Sequence, residues 1–520
     1  MNGKRETGHE PVRATQLACL DWDQLNWTKI KQQVEKTQEK IFRDTQAGRF
    51  WKAMQLQKLL VRSLPARLLA VHLVTEVNTG RYTPGIDGRV YRTKKGKVDL
   101  VESLRFKGYK PSPVKVTWIP KPDGSKRRLG IPTMRDKAMQ MLVLMAMEPE
   151  WEARFEPHSF GFRKGRSPID AVHHIFTTLL HQKGKKVHPG WVFDADITKC
   201  FDNISHDALL QKLHGSPFQA VIRRWLKSGA VGKVGFETTS KGTPQGGVIS
   251  PLLANIALHG MELMFGIYTK SGNYLSPYRR GKNNRHIAFF RYADDFIILA
   301  PSREILENYV VPKIKTFLGD IGLDLNQGKT RIVNVTSGFE FLGFKFQRCL
   351  RKDGSIKELN FTPSRARLDR FLETTKEFIT RNWNSDVKDI IRGLNAKIVG
   401  FCNYFKWSKA NRSFAYLSHR LWEQLRNWAR KRHPTRGKKW FIARYWKSIG
   451  GNNWAFTWEG MTLIEPYTRY DKDWYKRPKL RIHASPYDPS MKEYWSKRKK
   501  RPRNVIRPAL PRSLRESMAT

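Results

Sequence analysis

Two adjacent carboxylates, Asp294 and Asp295, lie inside the apolar run Ile287-Ala288-Phe289-Phe290-Arg291-Tyr292-Ala293-Asp294-Asp295-Phe296-Ile297-Ile298-Leu299-Ala300. Strand formers on both sides place the acids at the turn of a buried β-hairpin. Like charges a few ångströms apart in an apolar setting repel, so one must take up a proton unless a cation is bound. A divalent metal removes that conflict. An Asp-Asp turn is ordinarily solvated, but a solvated turn needs neither aromatic and β-branched arms nor a partner acid at the end of another apolar strand. Such an acid lies upstream in Trp191-Val192-Phe193-Asp194-Ala195-Asp196-Ile197-Thr198-Lys199-Cys200-Phe201-Asp202, where Asp194, Asp196 and Asp202 all qualify by spacing.

Other elements must hold these acids against a substrate. Val116-Thr117-Trp118-Ile119-Pro120-Lys121 and Arg127-Arg128-Leu129-Gly130-Ile131-Pro132 frame the turn Pro122-Asp123-Gly124-Ser125-Lys126 and read as a basic β-hairpin, able to fold over a triphosphate. Thr243-Pro244-Gln245-Gly246-Gly247 lies between the two acidic strands, with glycines that allow close backbone approach. Gly322-Leu323-Asp324-Leu325-Asn326-Gln327-Gly328-Lys329 and Gly338-Phe339-Glu340-Phe341-Leu342-Gly343-Phe344 follow.

In order and spacing this set resembles the group II intron-encoded reverse transcriptases, and the resemblance runs through most of the chain. It implies an α+β, right-hand polymerase fold: fingers and palm with antiparallel sheet, then an α-helical thumb and maturase domain, then a basic DNA-binding segment. It selects Asp196 as the third carboxylate. Asp196 and Asp294 would bridge two Mg²⁺ ions, with Asp295 and the carbonyl of Ile197 completing the protein ligands. Lys121 and Arg127 would grip the incoming triphosphate. Arg128 stands where the family usually has proline, which leaves the choice between Arg127 and Arg128 open. Phe201 would be the steric gate against a ribose 2′-hydroxyl, Gln245 would contact the nucleotide, and Lys329 would protonate pyrophosphate. The implied partners are group II intron RNA, target DNA, an RNA template with a DNA primer, and deoxynucleoside triphosphates. The implied activity is RNA-directed DNA polymerisation, with maturase function in splicing and intron mobility. A host-adopted reverse transcriptase serving repair or defence, and a splicing-only RNA-binding cofactor, are the alternative readings.

Composition agrees with a nucleic-acid partner. The 520 residues, 40% hydrophobic, suffice for several domains. Lys+Arg 96 against Asp+Glu 46 gives a formal charge of +50, a self-repulsion that a polyanion would neutralise. No apolar stretch reaches the roughly 18 residues of a membrane span, and the first residues lack the apolar segment of a signal peptide. The expectation is a cytoplasmic, nucleoid-associated protein without a membrane partner, or an organelle-matrix protein if organelle-encoded. Cys19, Cys200, Cys349 and Cys402 are far apart and imply neither a disulfide framework nor a zinc cluster.

Along the chain, helical periodicity predicts an N-terminal extension over 1–74, with apolar repeats from Trp27 to Glu35 and from Phe50 to Leu69. Thr83-Pro84-Gly85-Ile86-Asp87-Gly88 breaks it and resembles the family's loop before the fingers. Fingers and palm are expected over 75–350, with a Gly-, Tyr- and Lys/Arg-rich insertion between Met264 and His286. Thumb and maturase region, often called domain X, are expected over 351–460. Cys402 there replaces a commonly smaller residue, and Arg430-Lys431-Arg432 is a candidate RNA contact. Residues 461–520 carry sixteen Lys/Arg against six Asp/Glu and read as a DNA-binding segment. No cysteine follows Cys402, so the Cys/His site of an HNH nuclease is not expected there.

Overall fold

The computed structural model describes residues 21–120, 124–180, 188–233, 235–267, 286–449, 452–470 and 478–499. Lys121, Cys19 and most of the 264–286 insertion lie outside them. Contacts divide the chain into two compact units, one of 1–167, 193–332 and 481–493, the other of 168–192, 333–480 and 494–520. These units cut across the sequence landmarks at 74, 350 and 460.

The first unit begins with helices α1 (Trp27–Gln46), α2 (Phe50–Arg62) and α3 (Leu64–His72). Asn26 caps α1 by accepting from the Lys29 amide at 2.9 Å. The periodic run from Phe50 to Leu69 is two helices, not one, because Ser63 takes an extended backbone and its hydroxyl caps α3 at the Ala66 amide. Helix α4 (Met134–Arg154) packs against this group. The buried amides of Gln38 and Gln57 donate to the Met145 and Ala146 carbonyls of α4 at 2.7 and 3.2 Å, so neither donor is left unsatisfied.

Two four-stranded sheets follow. β1 (Val114–Pro120) and β2 (Lys126–Ile131) form the expected basic hairpin, in register with Ile119 opposite Arg127. β1 also pairs with β4 (Ala230–Gly232), which pairs with β5 (Gly235–Glu237). The β1–β4 pair is parallel beside the antiparallel pairs expected of fingers and palm; over a hundred residues connect the strands, so no tight turn dictates their direction. The second sheet contains β3 (Trp191–Ala195), β6 (Ala288–Tyr292), β7 (Asp295–Ala300) and β8 (Arg331–Asn334) in the order β6-β7-β3-β8. Phe193, Phe289 and Phe296 are fully buried beneath it, with Phe296 5.9–6.0 Å from the other two rings. A helix α5 (Ser250–Leu258) completes the set that matters to the site.

The second unit holds the sheet β11-β10-β9 from β9 (Phe339–Phe341), β10 (Phe344–Leu350) and β11 (Ile356–Pro363), with the Phe361 ring against both Phe344 and Phe346. Helices α6 (Arg365–Arg381), α7 (Val387–Phe405) and α8 (Asn411–Arg432) follow as the periodicity predicts, then α9 (Lys438–Tyr445). The region is not purely helical. Aromatic and β-branched residues build a small sheet of β12 (Trp446–Ile449), β13 (Asn452–Trp458) and β14 (Met461–Thr462).

Part of the segment read as a basic DNA-binding tail is folded into the units. Tyr487 is buried in the first, where its hydroxyl donates to Glu148. Arg498, one of the consecutive basic residues at 497–501, is bound to Asp170 in the second.

Candidate active site

The hairpin β6–β7 closes with Tyr292 opposite Asp295, so Ala293 and Asp294 form a two-residue turn. Such turns require a left-handed backbone, and Ala293 has φ +59°. Without a glycine there, something must hold the turn.

Arg291 does so from within. Its side chain is fully buried, and one guanidinium nitrogen donates to the Ala293 carbonyl at 3.0 Å and to Asn255 Oδ1 at 2.9 Å. The buried Glu156 carboxylate stands 3.9 Å from its other terminal nitrogen. Asn255, on α5, also donates to the Gly161 carbonyl at 2.9 Å. Gly161 lies so close to the turn that a Cβ there would meet the Ala293 nitrogen at 2.3 Å. The segment carrying it is pinned by Arg163, whose guanidinium donates to both Glu152 carboxylate oxygens at 2.9 Å and to the Glu156 and Ser159 carbonyls. Phe160 N donates to Arg291 O at 2.8 Å, which fastens this segment to β6.

Asp196 follows the end of β3. Its carbonyl accepts from Asn326 N, and Thr198 N donates to Asp324 O, both near 2.8–2.9 Å. In an antiparallel pair this alternation turns the Ile197 carbonyl away from 324–326. Lys329 Nζ lies 2.9 Å from Asp196 Oδ2, and Asn326 donates to the same oxygen at 3.3 Å. Among the three candidate acids, Asp194 is paired with Arg331 at 3.1 Å.

The electrostatics join the three acids. The Asp295 side chain reaches solvent at the turn, yet partial desolvation by the surrounding chain pushes its carboxyl up to about 7, and the charges of Asp294 and Asp196 push it the same way. Burial also raises Asp294, with Asp196 adding to the shift, while Arg127 and Lys329 oppose it. No group of three His, Cys, Asp or Glu side chains stands at closed ligand spacing among the described residues. The donor set is all oxygen, which fits Mg²⁺.

Phe201 sits on a short helix after Lys199, a non-glycine residue with φ +43°, and its ring meets Phe162 edge-on at 6.2 Å. Phe162 has φ +58°. Three left-handed non-glycine residues, Phe162, Lys199 and Ala293, thus gather around the acids, as strained backbone does at functional sites. Thr243 N donates to Phe201 O at 2.6 Å and Gly130 N to Gln245 O at 2.7 Å, tying the Gln245 loop to both the gate and the basic hairpin. Phe201, Gln245, Gly130 and Arg128 line one cavity of about 90 Å³. Arg128 is held by Glu237 at 2.5 Å, whereas Arg127 is exposed and its charge is felt at Asp294. In the second unit Arg432 donates to the Trp383 and Ser385 carbonyls, and Arg430 and Lys431 are exposed.

Sequence reasoning passed over Arg291, Gly161, Asn255 and Glu156. The signal was present in Phe160-Gly161-Phe162-Arg163, a glycine between aromatics beside a cation.

A carboxylate turn on a buried hairpin, facing an acid at the end of a neighbouring strand under a basic hairpin, defines the palm of a nucleic-acid polymerase. Family profiles agree. Residues 119–346 match "Reverse transcriptase (RNA-dependent DNA polymerase)", 22–104 match the "N-terminal domain of reverse transcriptase", and 368–446 match "Group II intron, maturase-specific domain". Protein YkfC of Escherichia coli is 31% identical over 340 residues, covering 60% of this chain and 88% of that protein. The group II intron-encoded protein LtrA of Lactococcus lactis is 28% identical over 399 residues, covering 61% and 65%. An uncharacterized 91 kDa protein in the cob intron of Schizosaccharomyces pombe is 27% identical, covering 61% and 46%. The chain thus spans most of the first of these relatives but less than two thirds of the other two. It belongs to the group II intron-encoded reverse transcriptase and maturase family, and its palm is that of an RNA-directed DNA polymerase.

Proposed function

We propose that this protein copies RNA into DNA at Asp196, Asp294 and Asp295, and that its maturase region binds group II intron RNA to promote splicing and intron mobility. The observation that carries the first part is geometric: Asp294 and Asp295 lie at the β6–β7 turn, Asp196 follows the end of the neighbouring strand β3, and the charges of Asp294 and Asp196 both act on Asp295. Asp196, Asp294, Asp295 and the Ile197 carbonyl would hold two Mg²⁺ ions. Bound there, the metal would activate the primer 3′-hydroxyl and neutralise charge on the leaving pyrophosphate.

The remaining roles belong to side chains. Arg127, exposed and acting on Asp294, would bind the triphosphate with Lys121; Arg128 is already engaged by Glu237. Phe201, braced by Phe162, would exclude a ribose 2′-hydroxyl. Gln245 would sit under the sugar or base, its loop drawn in by Gly130. Lys329, on Asp196 without substrate, would move to the pyrophosphate and donate a proton there. The DNA target would meet exposed basic residues of the C-terminal segment.

Primer extension on an RNA template, with Mg²⁺ and deoxynucleotides, tests the reading. Asp196→Ala should reduce synthesis below about one per cent, since a lost bridging ligand removes several kcal/mol of transition-state stabilisation. Synthesis at an undiminished rate would reject the site.

A further inference from the structure

A cavity of about 580 Å³ lies within the second unit, lined by α8, α9 and the sheet β12–β13. Its size falls within the roughly 300–1,000 Å³ of small-ligand sites. Trp422, Trp446, Trp454 and Phe456 form its walls. Trp454 stands edge-on to Trp422 at 6.2 Å, and Trp446 meets Phe456 edge-on at 5.1 Å. The Arg426 guanidinium covers one Trp422 face at 5.1 Å. Two features set this group apart from ordinary core. Trp454 is 51% exposed, a large apolar ring turned to solvent, and the buried Trp422 indole N–H meets no acceptor among the described residues. A buried donor without an acceptor is disfavoured and calls for a ligand that supplies one.

The charge around the cavity selects the occupant. Residues 411–447 contain eleven Lys/Arg and a single acid, Glu423, which is itself paired with Arg420. Such a surface attracts a polyanion. Lys438 and Glu465 on the rim offer a donor and an acceptor to the edge of a heterocycle, and the indoles offer flat faces. Proteins read structured RNA largely at unpaired bases splayed out and stacked on aromatic side chains.

We propose that this cavity receives one unstacked nucleobase from a bulge or loop of folded RNA, with Trp454 as its stacking platform. The proposal rests on the maturase reading and adds a site to it. Basic residues along α8 hold the phosphates while the cavity tells an extruded base from a paired one.

The test uses the full-length protein and two RNA hairpins of equal length, one fully paired and one with a single bulged 2-aminopurine. At fixed salt the bulged hairpin should bind about tenfold more tightly, within the range of one base–aromatic stack, and its fluorescence should be quenched. Trp454→Ala should bring the ratio near one while leaving the paired hairpin's affinity and primer extension unchanged. Because Trp454 is half exposed, the substitution should not unfold the domain; Trp454→Phe should restore most of the preference and Trp454→Leu, apolar but without a π face, should not. Equal affinity for both hairpins, or a preference that survives Trp454→Ala, would overturn the base site and leave the maturase reading standing. Failure to bind either hairpin would overturn both. Trp454-dependent binding of an apolar amphipathic peptide, with no bulge preference, would assign the cavity to a protein helix and overturn the proposal.

Discussion

The palm and the maturase region handle charge in opposite ways. In the palm, Arg291, Arg163, Glu156 and Glu152 are buried; Arg291 bonds the carbonyl of Ala293 in the turn, and Arg163, held by Glu152, pins the segment that abuts it. In the maturase region the charges of Arg430, Lys431 and their neighbours are exposed, and the built feature is a set of indole rings. A reacting phosphate must be placed to a fraction of an ångström, which demands buried, fully bonded supports. Holding a large folded polyanion needs many contacts, each weak, that can be lost singly.

If that contrast is right, small changes beneath the palm should be severe. Arg291→Met removes the bonds to Ala293 O and Asn255 Oδ1 and one of the cations beside buried Glu156, which keeps His259 at 3.6 Å, and should cost about 3 kcal/mol of stability, read by urea denaturation. Arg291→Lys keeps the charge but not the rigid, planar guanidinium whose one nitrogen is held between Ala293 O and Asn255 Oδ1, and should recover stability more than synthesis. Gly161→Ala forces a Cβ to within 2.3 Å of the Ala293 nitrogen, so the turn must shift. A displacement of about 1 Å should reduce kcat on the order of a hundredfold with little change in KM for the primer–template. An unaffected Gly161→Ala enzyme would show the turn to be more yielding than the contacts imply.

Smaller effects separate the remaining residues. Phe201→Ala should admit ribonucleotides, raising their kcat/KM relative to deoxynucleotides by about tenfold or more. Unchanged sugar selection would remove Phe201 from the gate. In the maturase region, Arg430→Ala with Lys431→Ala should weaken intron RNA binding by about tenfold and flatten its salt dependence, since each phosphate contact contributes to that slope. Arg432→Ala is a different experiment, because its guanidinium caps the Trp383 and Ser385 carbonyls and its loss should lower stability.

Legibility in the sequence follows the same division. The hairpin turn carrying Asp294 and Asp295, the basic hairpin and the three long helices were readable because periodicity and local turn chemistry determine them. The supports were not. Arg291 looks like an interruption in an apolar strand until Asn255 and Glu156, distant in sequence, are seen around it. Asp194, Asp196 and Asp202 could not be separated by spacing, and the Arg331 partner of Asp194 lies 137 residues on. The parallel pairing of β1 with β4 and the sheet of β12–β14 inside a helical region likewise depend on tertiary packing.

The central claim is that metal chemistry in the palm and RNA contact in the maturase region are separable. One paired measurement addresses it: Asp294→Ala combined with Asp295→Ala, assayed by primer extension on an RNA template and by a protein-assisted intron splicing time course at physiological Mg²⁺, with circular dichroism to confirm folding. Synthesis should vanish while splicing stays near the wild-type rate, because the two carboxylates are proposed to hold the polymerase metals and the ribozyme supplies its own catalytic metals in splicing. Loss of splicing in a folded double variant, or DNA synthesis that persists in it, would contradict this division of labour.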